Sequence, residues 1–476
     1  MRRIALTFLI SVLMSSASSA QTFTTLFSFN GTTNSSQPNG PLVQGFDGNF
    51  YGTTVGGNTG SGGGDQDRGT VFKITPKGAL TTIYTFCSQA ACADGGNPLA
   101  GLLLGTDGNF YGTTSFGTNR LHGTIFKITP QGVLTTLYRL CLQGNCKDGI
   151  NVLSPLIQGT DGDFYGAASA GGVGCNAGCG SIFKLTPSRL IVLHDFCLET
   201  GCPDGATPNG VVQATDGNLY GTTRTGGTGE GTLFRITTGG TLTTLYDFCN
   251  PSCPGLFEPE GGLIQANNGD LYGTAPYGGP NNESIAGGVF QISLSGAFST
   301  IYDFCAQANC ADGIEPMGEV IQATDGNFYG TTTFDGTLGG GSLFKLTSGG
   351  SLTVLHNFPG WRKDYPGVMQ ATDGNFYGTT QDTAKNYYGI LFKESTGLAP
   401  FVETVPTSGA VGSTVTILGT NLMGTSAVSF NGIAATFTVV SATEITAAVP
   451  TGATTGTVSV KTPPKTLTSN VAFRVP

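Results

Sequence analysis

Apolar and polar residues alternate along this chain in short runs separated by glycine-rich turns. One unit shows the pattern clearly. "GVVQAT" (210–215) is a short apolar stretch, and "DGN" leads from it into "LYGTT" (219–223). Asp-Gly between two strand-like runs predicts a tight hairpin, because such turns need positive φ. "TLFRIT" (232–237) then alternates with period two, "TGG" makes a second tight turn, and "TLTTLYDF" (241–248) is rich in threonine and aromatics. The unit therefore reads as four antiparallel strands, A to D, in a meander. Beyond the first twenty residues no segment shows a capped 3.6-residue apolar period.

The unit recurs. "TDGNFYGTT" (106–114) returns, with small changes, from Phe46, Thr160, Thr215, Asn267, Thr324 and Thr372. Strand A is expected near Pro41, Leu99, Pro155, Gly210, Gly261, Gly318 and Pro366. A four-stranded sheet cannot bury both faces alone, but neighbours can cover it. Repeats of this length and pattern predict propeller blades. The chain ends sharpen the expectation. The seventh unit stops after strand C, "GILFKES" (389–395), whereas "TFTTLFSF" (22–29) is a strand D with no unit of its own. The expected fold is all-β: a seven-bladed propeller over residues 21–397, closed by its N-terminal strand. The motif aspartate is expected to make the A–B turn, rather than to bind calcium or act as a catalytic acid.

Composition adds a compartment. Arg2 and Arg3, the apolar run Ile4 to Met14 and the small residues Ser18, Ser19 and Ala20 form a secretory signal over 1–20. No later stretch predicts a transmembrane segment. The net charge is −9, and loss of the two arginines makes it −11 (19 basic minus 30 acidic). That balance argues against nucleic acid as a partner. Twelve cysteines fall into six close pairs: Cys87/Cys92, Cys141/Cys146, Cys175/Cys179, Cys197/Cys202, Cys249/Cys253 and Cys305/Cys310. In an exported chain these read as local disulfides. Zinc would want a further cysteine or histidine pair, and only three histidines exist. No metal and no cofactor are expected.

From Ala399 small β-branched residues replace the Gly-aromatic repeats, and short strands predict a β-sandwich over 398–476. Pro406, Ser408, Gly409, "GSTVTILGTNL", "VSFNG", "SATEITAAVP" and "GTVSV" resemble the IPT/TIG family of immunoglobulin-like domains. That resemblance implies an extracellular spacer or binding module without catalytic residues. The recurrent "DGNFYGTT…GTLFKIT…LTTLYDF" over residues 22–397 resembles the bacterial GloVer tandem repeats of exported "choice-of-anchor" proteins.

The A–B and C–D connections are tight and repetitive, whereas the B–C and D–A connections are long and variable. In a meander the two long sets share one end, so a ligand is expected there. The last D–A loop lacks cysteines and holds Trp361, Arg362, Lys363, Asp364 and Tyr365. It could recognise a glycan or protein, or Trp361 could simply pack over the loop. Asp94, Asp148, Asp204 and Asp312 follow the cysteine pairs. One aspartate per unit cannot supply a calcium shell, so they read as turn residues. His194 and His356 occupy the strand D position of Tyr246 and Tyr302, and His122 stands alone. No nucleophile elbow or metal-binding helix appears, so no catalytic residue is assigned. Asp335, Asp364 and Asp382 lie on the variable face, where acids from distant units could form a glycosidase pair. The expectation is an exported, noncatalytic binding protein of the secreted or cell-envelope compartment. Its alternative is a carbohydrate-active hydrolase or lyase.

Overall fold

The computed structural model describes residues 21–31, 36–56, 68–117, 122–174, 178–248, 255–281, 285–360, 367–381 and 388–476. The signal segment 1–20 lies outside them. Every regular element among the described residues is a β-strand or a single 3₁₀ turn.

Residues 22–395 build seven four-stranded antiparallel sheets. The first is Ser36–Gln44, Phe50–Gly56, Thr70–Ile74 and Leu80–Thr85, taken as strands A to D. The next five repeat this order, with their A strands ending at Leu104, Gln158, Gln213, Gln265 and Gln322. The seventh has only three strands of its own: Met369–Gln370, Phe376–Thr380 and Ile390–Ser395. Its fourth is Thr22–Ser28, which pairs Thr22 with Ser395, Phe23 with Glu394 and Ser28 with Ile390. The orphan strand therefore docks where its sequence predicted.

The repeated motif sets the local geometry. Gly48 and Gly108 turn the A–B hairpins at φ 77° and 75°, which a side chain would strain. The glycine after the tyrosine has another cause. A Cβ on Gly52 would lie 2.6 Å from the Phe72 ring, and one on Gly378 equally near Phe392. Each strand C phenylalanine thus occupies the space that its cross-strand glycine vacates. Strand A is only two residues long in most sheets, shorter than its apolar run.

Neighbouring sheets are joined in two repeating ways. The motif tyrosine of one sheet packs on the motif Phe or Leu of the next. Tyr51 meets Phe110 at 4.0 Å, Tyr111 meets Phe164 at 4.2 Å, Tyr272 meets Phe328 at 4.1 Å and Tyr329 meets Phe376 at 4.1 Å. Tyr377 of the seventh sheet meets Phe50 of the first at 4.2 Å. The second joint is a glutamine clasp. Gln213 donates from Nε2 to the Gly217 carbonyl of its own turn at 3.0 Å, while its Oε1 accepts the Thr160 N–H of the preceding sheet at 2.9 Å. Gln158, Gln265, Gln322 and Gln370 do the same, and Gln44 accepts from Thr372. Between the first and second sheets Leu104 replaces the glutamine, and Phe46 replaces the threonine.

The C-terminal residues form two further four-stranded sheets. One runs Glu403–Val405, Thr414–Leu418, Glu444–Ala448, Phe437–Val439; the other runs Ile433–Ala434, Ala427–Phe430, Val458–Lys461, Thr466–Thr468. Val415, Ile417, Phe430, Ile445, Val460 and Phe473 belong to the core between them. This module rests on the A–B turns of the repeats. Thr443 Oγ1 donates to the Phe46 carbonyl at 2.7 Å, the Phe401 N–H to Thr372 at 3.0 Å and Arg474 Nη1 to Ala214 at 3.3 Å.

Candidate functional site

The carboxylates that recur from unit to unit serve the fold on both faces. On the turn face the motif aspartates are occupied internally. Asp107 accepts the Asn109 N–H at 3.1 Å, the Tyr111 hydroxyl at 2.9 Å and Lys127 Nζ at 2.7 Å. Burial would raise this carboxyl, but Lys127 and Asn109 hold it down at about 2. The same trio recurs as Asp47–Tyr51–Lys73, Asp161–Tyr165–Lys184 and Asp325–Tyr329–Lys345. In the fifth sheet Asn268 replaces the aspartate and Gln291 the lysine, and the carboxylate moves to Asp270, which accepts from Gln291 Nε2 at 2.5 Å and Asn268 Nδ2 at 3.2 Å. The aspartate therefore does more than turn the chain: it anchors the tyrosine that packs on the next sheet.

The cysteine loops are closed in a similar manner. Disulfides join Cys87–Cys92, Cys141–Cys146, Cys197–Cys202 and Cys305–Cys310. Cys179 is also disulfide-bonded, while Cys175, Cys249 and Cys253 lie outside the described residues. Asp94, Asp148 and Asp312 are fully buried. Asp94 accepts from the Tyr84 hydroxyl at 2.8 Å and from the Ser88 and Gln89 amides at 3.0 and 3.2 Å. Asp312 is bound likewise by Tyr302, Ala306 and Gln307. In the third sheet His194 takes the tyrosine's place and contacts Asp204 at 2.8 Å. His356 stacks on Phe23 at 3.6 Å, and His122 lies 3.7 Å from Cys146 Sγ. These aspartates are clamps whose oxygens are already satisfied.

The loop face of the fourth to sixth sheets carries a different group. Arg224 lies 3.0 Å from Glu258 and 3.1 Å from Glu260. Tyr277 stands beside them, stacked on Phe257 at 5.7 Å. These two rings belong to a short extra ribbon, Leu256–Phe257 with Tyr277–Gly278, that the repeat pattern did not predict. Burial pushes the Glu315 carboxyl up, and the neighbouring charges of Glu260 and Asp335 add to it. Burial and the charges of Glu315, Glu260 and Glu258 raise Tyr277. Glu258, Glu315 and Asp335 hold φ at 49°, 55° and 57°. Gln37, Asn97, Asn151 and Thr207 adopt the same positive φ at the matching place in other units. One strained position in each of the first six units thus presents a polar side chain, and among these the fifth and sixth, Glu258 and Glu315, are acidic.

Just before strand A of the sixth sheet, Glu319 occupies a place held elsewhere by Pro41, Gly101, Pro155, Gly210, Gly262 and Gly367. Burial pushes its carboxyl up to about 7. A Cβ on Gly262 would approach that carboxyl at 3.1 to 3.4 Å.

Of the residues singled out in the sequence, Asp335 joins this group. Trp361, Arg362, Lys363, Asp364, Tyr365 and Asp382 lie outside the described residues. Arg224, Glu258, Glu260, Tyr277 and Glu315 were not singled out. The signal was present in "FEPEGG" and "IEPMGE", where other units read "SQPNG" or "GNPLA".

The model of the Gloeobacter/Verrucomicrobia repeat matches residues 12–201, 57–255 and 173–392 in overlapping copies. The chain belongs to this repeat family. An IPT/TIG domain matches residues 401–475. No curated protein matches. Among solved structures, the extracellular domain of a hybrid two-component system from B. thetaiotaomicron is 12% identical, with a TM-score of 0.50. The match covers 84% of this chain and 46% of that one, so the repeat protein spans about half its length. A gluconolactonase-family structure is 11% identical with a TM-score of 0.39, covering 80% of this chain and 94% of that one. No helix among the described residues is long and apolar enough to cross a membrane.

Proposed function

We propose that this member of the repeat family is an exported, noncatalytic binding protein of the secreted or cell-envelope compartment. Its seven sheets act as a seven-bladed propeller closed by the N-terminal strand, and its IPT/TIG module packs on the turn face. The ligand, a glycan or an extracellular protein, is taken by the B–C/D–A loop face. The observation that carries this reading is a non-repeating charged group on the loop face. Turn-face aspartates are occupied by tyrosine, lysine and backbone partners, as Asp107 is. The loop face instead gathers Arg224, Glu258, Glu260, Tyr277, Glu315 and Asp335 beside one another. Such a group recognises sugar hydroxyls, or basic side chains of a protein partner. The extracellular neighbour supports export.

A second reading, a carbohydrate-active hydrolase, draws on one feature. Glu315 is held toward its protonated form beside Glu260 and Asp335, as a general acid beside a carboxylate would be. The mature protein and its Glu260→Gln, Glu315→Gln double variant should be screened on a glycan array and against envelope proteins. Retention of a hit without release of reducing sugar, and its loss in the variant, is the expected result. Cleavage of the hit would favour the hydrolase, and unchanged retention by the variant would remove the site.

A further inference from the structure

We propose that a cleft on the flank between the second and third sheets is a separate site for the ring of an acidic sugar, a hexuronate. The cleft arises from one altered turn. In five sheets the C–D turn carries a glycine that lies against a strand D carbonyl of the preceding sheet. A Cβ would meet that carbonyl oxygen at 2.6 Å at Gly78, 2.2 Å at Gly132, 2.5 Å at Gly240, 3.2 Å at Gly296 and 2.7 Å at Gly350. The acceptors are Leu26, Ile83, Leu193, Leu245 and Ile301. The third sheet differs. Its turn, Thr186-Pro187-Ser188-Arg189, is one residue shorter than residues 75–79 and has no glycine.

The missing contact leaves space. The matching strand D residue of the second sheet, Leu137, is 39% exposed. Phe164 is partly exposed, whereas Phe50, Phe110, Phe328 and Phe376 at its position are buried. A cleft of about 640 Å³ opens there, lined by Tyr111, Leu137, Phe164, Leu190, Gln143 and Arg189 among others. That size suits one or two sugar rings.

The lining decides the ligand class. Phe164 and Leu137 offer flat apolar surface, which suits the C–H face of a pyranose. The charges around it are unequally available. Lys127 is engaged by Asp107 at 2.7 Å, and Lys184 by Asp161 and Asp163 at 2.8 Å each. Among the described residues Arg189 is bonded only through its backbone, to Thr186. Its exposed guanidinium is, among the described residues, the cation at this rim left for a ligand carboxylate, which it can meet with two parallel hydrogen bonds. The cleft lies away from Arg224 and Glu315, so the site stands whether or not the loop face binds anything.

The test uses the mature protein with a galacturonate trisaccharide and the matching neutral galactose trisaccharide, titrated by calorimetry and saturation-transfer NMR. The acidic sugar should bind and the neutral one more weakly. Arg189→Gln should weaken the acidic sugar roughly 10- to 100-fold, the value of a charged hydrogen-bond pair. Lys77→Gln, at the matching turn of the first sheet, should change nothing. Replacing residues 186–189 by the five-residue turn 75–79 should close the cleft and abolish binding. If that graft does not fold, Arg189→Gln decides, since its side chain is exposed. Absent binding, equal binding of the neutral sugar, or unchanged affinity in Arg189→Gln would each overturn the assignment. So would a concentration-dependent dimer, abolished by the graft, in which a second copy fills the cleft.

Discussion

Glu394 offers the sharpest test of how the last sheet is held. Its place in strand C is Ile74, Ile128, Leu185, Ile236, Ile292 and Leu346 in the other six sheets. Glu394 is fully buried, and it lies opposite Phe23 of the N-terminal strand on one side and Phe376 on the other. Neither of its oxygens has a hydrogen-bond partner of good geometry. Burial pushes the carboxyl from 4.5 up to about 7, with the Gln21 side chain opposing weakly. That displacement corresponds to about 3 kcal/mol as an upper bound, at roughly 1.4 kcal/mol per tenfold change in proton affinity. The sign follows from linkage. The folded protein holds this proton more tightly than the unfolded chain. Stability is therefore fullest below 4.5, falls as pH rises toward 7, and is level above that. Glu394→Leu restores the repeat consensus and removes the dependence. Urea unfolding of both proteins should show a stability gain for the variant that is larger at pH 8 than at pH 5 by up to about 3 kcal/mol. A gain that is the same at both pH values would refute the claim that Glu394 titrates inside the folded joint. A loss at pH 8 would mean that the carboxylate has a cationic partner.

Three further outcomes follow from the same contacts. Deleting residues 22–28 should leave the edge of Ile390–Ser395 open, and aggregation together with fast amide exchange in that strand should report it; a protected strand in the deletion variant would contradict the pairing. Asp94→Ala should lower stability by about 1 to 2 kcal/mol, because it takes a buried acceptor from Tyr84, Ser88 and Gln89, whereas the matching loss for the partly exposed Asp204 should be smaller, both read by thermal unfolding. The Asp107 carboxylate, held at about 2, contributes stability above the ordinary carboxylate range that is lost as pH falls toward 2; exposure limits this to under about 1 kcal/mol. The Asp107→Asn, Lys127→Gln pair, which removes the carboxylate together with its cation, should abolish that small acid dependence.

The sequence alone determined the strand pattern, because tight Asp-Gly turns and period-two alternation are local properties of neighbouring residues. It also placed the orphan strand at 22–29 with its partner at 389–395, because complementary incomplete repeats leave one way to finish a sheet. It could not assign the motif aspartate its second role. The contact of Asp107 with Lys127 spans twenty residues and exists only once strand C lies beside the turn. The glutamine clasp was hidden for the same reason, since Thr160 and Gln213 sit in different sheets. Arg224, Glu258 and Glu315 come from three units, and their nearness depends on how the sheets stand side by side. The flank cleft was least legible of all. A single missing glycine in "TPSR" reads as a harmless turn variant until the neighbouring Leu137 is seen uncovered. Short-range geometry wrote the strands into the chain, and packing between distant units decided which side chains met.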